Sequence, residues 1–131
     1  MNRKEEIQMN EYAVVIKPDM TVYTQALDPD DILGSLQTLA GGYIQTVPMR
    51  RLPPPHMMVV NEEGRLRDLP ANLIASWLYG IGERIHGTAV ILTTGERDGE
   101  PDIVGLPGDL AAQCADCIRE RFLEAIGDLE K

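Results

Sequence analysis

Five arginines are the residues of this sequence best suited to gripping a ligand. Arg50, Arg51, Arg65, Arg67 and Arg84 fall within residues 50–95, which hold only four acids, Glu62, Glu63, Asp68 and Glu83, so the segment is locally cationic. The segments on either side are acidic, and the whole chain of 131 residues carries a net charge of −9. A guanidinium is planar and donates in a fork that matches phosphate or carboxylate. One reading leaves these arginines solvated along strand edges. The other gathers Arg50, Arg51, Arg65 and Arg67 into one anion site, with Tyr43 or His56 stacking or hydrogen-bonding beside them. That site would take a small anionic molecule such as a nucleotide. A chain this short has little interior space, so a subunit interface is the natural place for the pocket and a homo-oligomer the expected assembly.

Other chemistry has weaker support. Cys114-Ala115-Asp116-Cys117 has a C-x-x-C spacing. A zinc site needs two further ligands, and His56 and His86 are the only histidines. A thioredoxin-like site places its cysteines at the start of a helix, whereas this pair falls on a mid-helix apolar stripe, where cysteine packs as a small hydrophobe. The only serines are Ser35 and Ser76, and neither sits in a G-x-S-x-G turn. No phosphate-cradling loop ends in Gly-Lys-Ser/Thr, and the Gly80 and Gly105 clusters lack the dinucleotide spacing. The sequence therefore points to a non-enzymatic binding protein with no catalytic residue, no metal and no cofactor.

Asp116, Glu120 and Glu124 recur every four residues and share one helix face. This face is either plain solubility or a surface for a host protein, imitating the charge of a nucleic acid. The second option makes an acidic protein-interaction module the alternative function. Direct nucleic-acid binding is disfavoured by the net charge and by an aromatic set of one Trp, four Tyr and one Phe. Anionic membranes repel the chain in the same way, and no apolar run approaches the roughly 18 residues of a membrane span. The charged start has no signal-peptide core, and two cysteines make no disulfide framework, so a cytoplasmic location is expected.

The elements that position these residues read as an α+β single domain over 11–131, preceded by a polar lead-in at 1–10. Tyr12-Ala13-Val14-Val15-Ile16 is a continuous apolar run and predicts a buried strand, with Thr21–Thr24 as its hairpin partner. Asp28-Pro29 predicts a helix start, with Asp28 as the cap, and Gly41-Gly42 its end. Strands follow at 43–47 and 57–60, separated by Pro53-Pro54-Pro55. Asn61-Glu62-Glu63-Gly64 reads as a turn with Gly64 at positive φ. Pro70 opens a second helix carrying Leu73, Ile74, Trp77 and Leu78. Thr88–Thr93 is a strand, 94–107 a loop with a tight turn at Asp98-Gly99, and 108–128 the last and longest helix. The expected product is an antiparallel or mixed sheet of four or five strands with three helices.

Four segments, in this order and spacing, resemble the domain of unknown function family 3846, small proteins common in phages and prophages. They are Gly41-Gly42-Tyr43-Ile44-Gln45-Thr46-Val47, Asn61-Glu62-Glu63-Gly64, Leu69-Pro70-Ala71-Asn72-Leu73-Ile74-Ala75 and Ile85-His86-Gly87-Thr88-Ala89-Val90-Ile91. The resemblance covers about residues 12–95 and leaves the C-terminal helix out. It carries no catalytic residue. It implies an accessory protein of a mobile element, one that blocks a host protein or sequesters a small signalling nucleotide of host defence.

Overall fold

The computed structural model describes residues 11–129. The lead-in at 1–10 lies outside the described residues. The chain runs β1 (Tyr12–Ile16), β2 (Val22–Ala26), α1 (Ile32–Ala40), β3 (Ile44–Val47), β4 (His56–Asn61), β5 (Ala71–Asn72), α2 (Leu73–Tyr79), β6 (Ile85–His86), β7 (Ala89–Arg97), β8 (Glu100–Val104) and α3 (Gly108–Leu129). The main sheet is ordered β2-β1-β7-β4-β3, with β8 paired to the distal half of β7, and every pairing is antiparallel. It is the expected α+β domain with three helices, and its six strands exceed the expected count.

The strand runs are apolar on both sides because both sheet faces are covered. On one face Val14, Ile16, Met58, Val60, Ala89 and Ile91 meet Ile74, Ala75 and Leu78 of α2 and Ala111, Cys114, Ala115 and Ile118 of α3. On the other, Ala13, Val59, Val90 and Leu92 meet Leu36 of α1. A central strand between two helical layers needs no polar alternation, which is why β1 reads as an unbroken apolar run.

Several details depart from the sequence reading. Helix α1 starts three residues later than Asp28 implies. Asp31 is the cap, its carboxylate accepting from the Gly34 amide at 2.9 Å, while Asp28 accepts from the Asp30 amide in a local turn. Three aspartates within four residues all suit a cap, so composition alone does not choose among them. Gly41 does end the helix, at φ 80°. Helix α2 is capped by Asn72 rather than opened by Pro70, because Ala71-Asn72 pairs with Ile85-His86 as a small second sheet. Gly64 is absent from the positive-φ positions; Asp68 takes that conformation instead, at φ 57°. Residues 94–107 are not a loop throughout. Arg97 and Glu100 flank the expected Asp98-Gly99 turn, and Glu100–Val104 pairs back on β7. Two acids and Pro101 hide that strand from a hydrophobic pattern, and they are tolerated because it is a sheet edge.

The two cysteines also part company. Cys114 is buried against the sheet, but Cys117 is exposed, one helical step off the stripe. Burial, followed by the nearby Cys117 sulfur, pushes the Cys114 thiol up to about 11, which makes it a poor nucleophile. Among the described residues no helix is long and apolar enough to cross a membrane, and no group of three or more His, Cys, Asp or Glu side chains could hold a metal ion.

Candidate functional site

The motifs at 41–47, 61–64, 69–75 and 85–91 are far apart in sequence, and hydrogen bonds draw them to one end of the sheet. Asn72 is fully buried and ties three of its neighbours together. Its Nδ2 donates to the carbonyls of Ile16 and Gly87, each at 2.9 Å, and its Oδ1 accepts from the Ala75 amide at 3.0 Å. Ser76 completes the joint: its hydroxyl donates to the Asn72 carbonyl and accepts from the Ile85 amide. Asn61, also buried, donates to the last carbonyl of α1, Ala40, and accepts from the Glu63 amide. Gly64 packs so closely on the next motif that an added Cβ would lie 2.7 Å from the His86 carbonyl oxygen. Its requirement is steric closeness rather than left-handed backbone.

The candidate ligand residues settle on these walls unevenly. A groove of about 140 Å³ opens between the end of β4 and β6, and it holds Gln45, Glu62, Arg65, Glu83, Arg84 and His86. Neither the Arg65 nor the Arg84 guanidinium hydrogen-bonds or pairs with a described residue, so both are available to a ligand. His86 reaches the Leu69 carbonyl with Nδ1 at 2.8 Å. A carbonyl only accepts, so Nδ1 carries the proton and Nε2 is the free position of the neutral ring. A second groove, sharing Asn61 as a wall, brings together Tyr43, Arg67, Gln37 and Glu63. There Arg67 is already engaged, donating to the Gly41 carbonyl at 2.9 Å and finishing the end of α1. Tyr43 is 72% exposed and lies against that groove as a free ring.

The other three candidates are elsewhere. Arg51 stacks its guanidinium over the Trp77 ring at 5.6 Å and donates to the Trp77 carbonyl, so it closes the C-terminal end of α2. Arg50 docks by its backbone amide on the carbonyls of Leu78 and Tyr79. His56 lines an apolar groove with Leu52, Leu106, Leu110 and the two cysteines, and its Nδ1 lies 3.2 Å from the Pro53 carbonyl. The structure thus joins Arg65 with Arg84, and Arg67 with Tyr43, and sets Arg50, Arg51 and His56 apart from both. Arg84 and His86 are the residues the sequence reading left out of the site. His86 was within reach of it, because it sits inside one of the four motifs.

Size alone points to a different place. A larger concavity, about 760 Å³ between β2 and α1, has Asp28 and Asp31 as its only charged walls among the described residues and offers an anion nothing.

A family model described as "Domain of unknown function (DUF3846)" matches residues 9–119. The match runs further than the resemblance at 12–95 and takes in both cysteines. No curated protein matches the sequence. Among solved structures, the crystal structure of the small RNA methyltransferase HEN1 superposes with a TM-score of 0.53 at 17% identity, over 77% of this chain. The chain spans 15% of that protein's length, and at this identity the likeness is one of fold alone.

Proposed function

The chain belongs to the DUF3846 family, and from that premise we propose that it is a non-enzymatic binding protein for a small anionic ligand, held in the groove of Gln45, Arg65, Arg84 and His86. The observation that carries this reading is the pair of arginines without partners among the described residues on one groove, which also takes Gln45, Glu62 and His86 from three of the segments that carry the resemblance. Unspent guanidiniums beside a backbone-oriented histidine form a receptor for phosphate or carboxylate oxygens. Glu62 and Glu83 share the groove, and they select against a bare anion. A phosphate ester that also carries hydroxyl or amino donors satisfies both signs of charge. Nucleotides have this character, and the phage setting implied by the resemblance brings forward a host signalling nucleotide that the protein sequesters.

Calorimetry against inorganic phosphate, pyrophosphate, cyclic dinucleotides and ADP-ribose variants tests the reading. A charge-assisted hydrogen bond contributes about 1.5–3 kcal/mol, so Arg65→Ala and Arg84→Ala should each weaken binding roughly tenfold to a hundredfold. Arg50→Ala should leave it unchanged. Absence of binding by every member of the panel refutes the proposal.

The acidic module keeps one observation in its favour. Asp116, Glu120 and Glu124 are all exposed on α3, and Leu123 on the same helix is 66% exposed. Capture of a basic host protein that is lost on neutralising the three acids, with no small-molecule binding, would favour this second reading.

A further inference from the structure

The groove just described is small. Its volume of about 140 Å³ holds a phosphoryl group but falls short of the roughly 300 Å³ at which ligand pockets begin. One of its walls, Gln45, stands on β3, the outermost strand of the sheet.

The three free strand edges differ. Strand β2 is blunted: its Val22 carbonyl accepts from Arg119, and its Ala26 carbonyl accepts from the Gln25 amide. Strand β8 carries Glu100, Pro101 and Asp102, residues that discourage further pairing. Strand β3 has neither device. Its sequence, Ile44-Gln45-Thr46-Val47, contains no charge and no proline. The Glu62 amide donates to the Tyr43 carbonyl at 2.8 Å, and Tyr43 and Glu62 flank the Ile44–Asn61 pair in register. Hydrogen-bonded pairs alternate along an antiparallel ladder, so Gln45 and Val47 also bond to β4. The amides and carbonyls of Ile44 and Thr46 therefore point away from the sheet, and no described residue meets them.

We propose that a second copy of this chain pairs antiparallel with β3 about a two-fold axis at Gln45, and that the pairing fuses the two Gln45–Arg65–Arg84 grooves into one ligand site. The strand is complementary to itself. Ile44 of one copy faces Thr46 of the other, the two Gln45 side chains meet at the axis, and no like charges oppose. The same register sets the strand end leading to Arg50 and Arg51 against the second copy's end that carries Glu62 and Glu63. The seam strand itself carries no charge, which matters when each copy carries −9. A two-fold axis normal to the sheet keeps both grooves on the same face, so each copy completes the other's site with a second pair of guanidiniums. The fused site suits a ligand with two anionic groups. The assignment of a ligand rests on the anion site proposed above, whereas the pairing does not.

Sedimentation equilibrium of the full chain, without ligand, reads the pairing directly. The expected mass is twice the 14.5 kDa of one chain. Thr46→Pro removes an amide that bonds to nothing in one copy but donates across the seam, so this variant is expected at the mass of one chain with its Trp77 fluorescence intact. A second variant fixes the register and does not depend on the proline being accepted. In a Cys117→Ser background, Gln45→Cys is expected to form a disulfide-linked dimer under mild oxidation, and Thr46→Cys is not. Pyrophosphate should then bind the dimer at least tenfold more tightly than the Thr46→Pro chain. A single-chain mass for the unaltered protein at every concentration overturns the pairing, as does a dimer that survives Thr46→Pro. Equal pyrophosphate affinity of dimer and single chain overturns the shared site alone.

Discussion

Replacing Asn72 by aspartate changes one NH2 group into an oxygen, and the structure sets what that exchange costs. Among the described residues, the Asn72 amide nitrogen supplies the only side-chain donor to the Ile16 and Gly87 carbonyls, in a site with no solvent exposure. The cap to the Ala75 amide survives in the variant, because a carboxylate oxygen accepts there as well. The second oxygen now faces two carbonyl oxygens at 2.9 Å. One proton on the introduced carboxyl can satisfy only one of them, so at least one hydrogen bond is lost, about 1–1.5 kcal/mol, and a buried acceptor is left bare at about 1–3 kcal/mol. Keeping that proton has its own cost. The folded form holds it far above the unfolded value of about 3.9, so between these values the folded state binds more protons than the unfolded state. The variant therefore loses a further 1.4 kcal/mol or so per pH unit above about 4, until the folded carboxyl ionises. Urea unfolding, followed by Trp77 fluorescence from the chain's single tryptophan, measures this between pH 4 and 7. The expected deficit is about 2–4 kcal/mol at pH 4, rising with pH. A deficit that stays flat with pH, or one below about 0.5 kcal/mol, would refute the claim that Asn72 is a buried donor joining β1, α2 and the β6–β7 turn.

Glu11 supplies the opposite pH dependence. Its carboxylate takes hydrogen bonds from Arg97 and from the Gly105 amide at 2.9 Å. Burial would raise this carboxyl, but the Arg97 hydrogen bond, the Gly105 amide and the Arg97 charge together hold it below the ordinary 4.5. The stabilisation is thus complete above pH 4.5 and disappears as pH falls through the lower folded value, so wild type and Glu11→Gln should converge in stability in acid and separate by about 1 kcal/mol at neutrality. The cysteines give a quicker check: in the native protein iodoacetamide should label Cys117 at the rate of an exposed thiol and leave Cys114 unlabelled until unfolding, and equal labelling rates would contradict the burial of Cys114.

The layout was legible wherever local chemistry and burial agreed. The apolar runs of β1 and β7, the glycine that ends α1 and the spacing of α3 each carry their own signal. The misses share a cause, which is that a partner distant in sequence decided the outcome. Asp31 is chosen over Asp28 by where α1 must land on the sheet. The β8 strand exists because β7 offers it an edge, although its own residues argue against a strand. Cys117 is exposed because α3 lies on the sheet along the line of Ala111, Cys114, Ala115 and Ile118; Cys114 sits at one margin of that line, and Cys117 is turned roughly 60° further away from it.

For the site, the chain by itself determined the inventory: a cationic middle segment in an acidic protein, built from arginine, and four motifs of small and amide residues around it. Only the tertiary structure decided which arginines are left without a partner among the described residues. Composition counts charges without knowing their partners, and a guanidinium that has found an aromatic face or a helix carbonyl is no longer free to bind anything else. Arg51 and Arg67 are spent in that way on Trp77 and Gly41. Arg65 and Arg84, nineteen positions apart in sequence, are left facing one groove because the buried amides of Asn61 and Asn72 pin the turns that carry them.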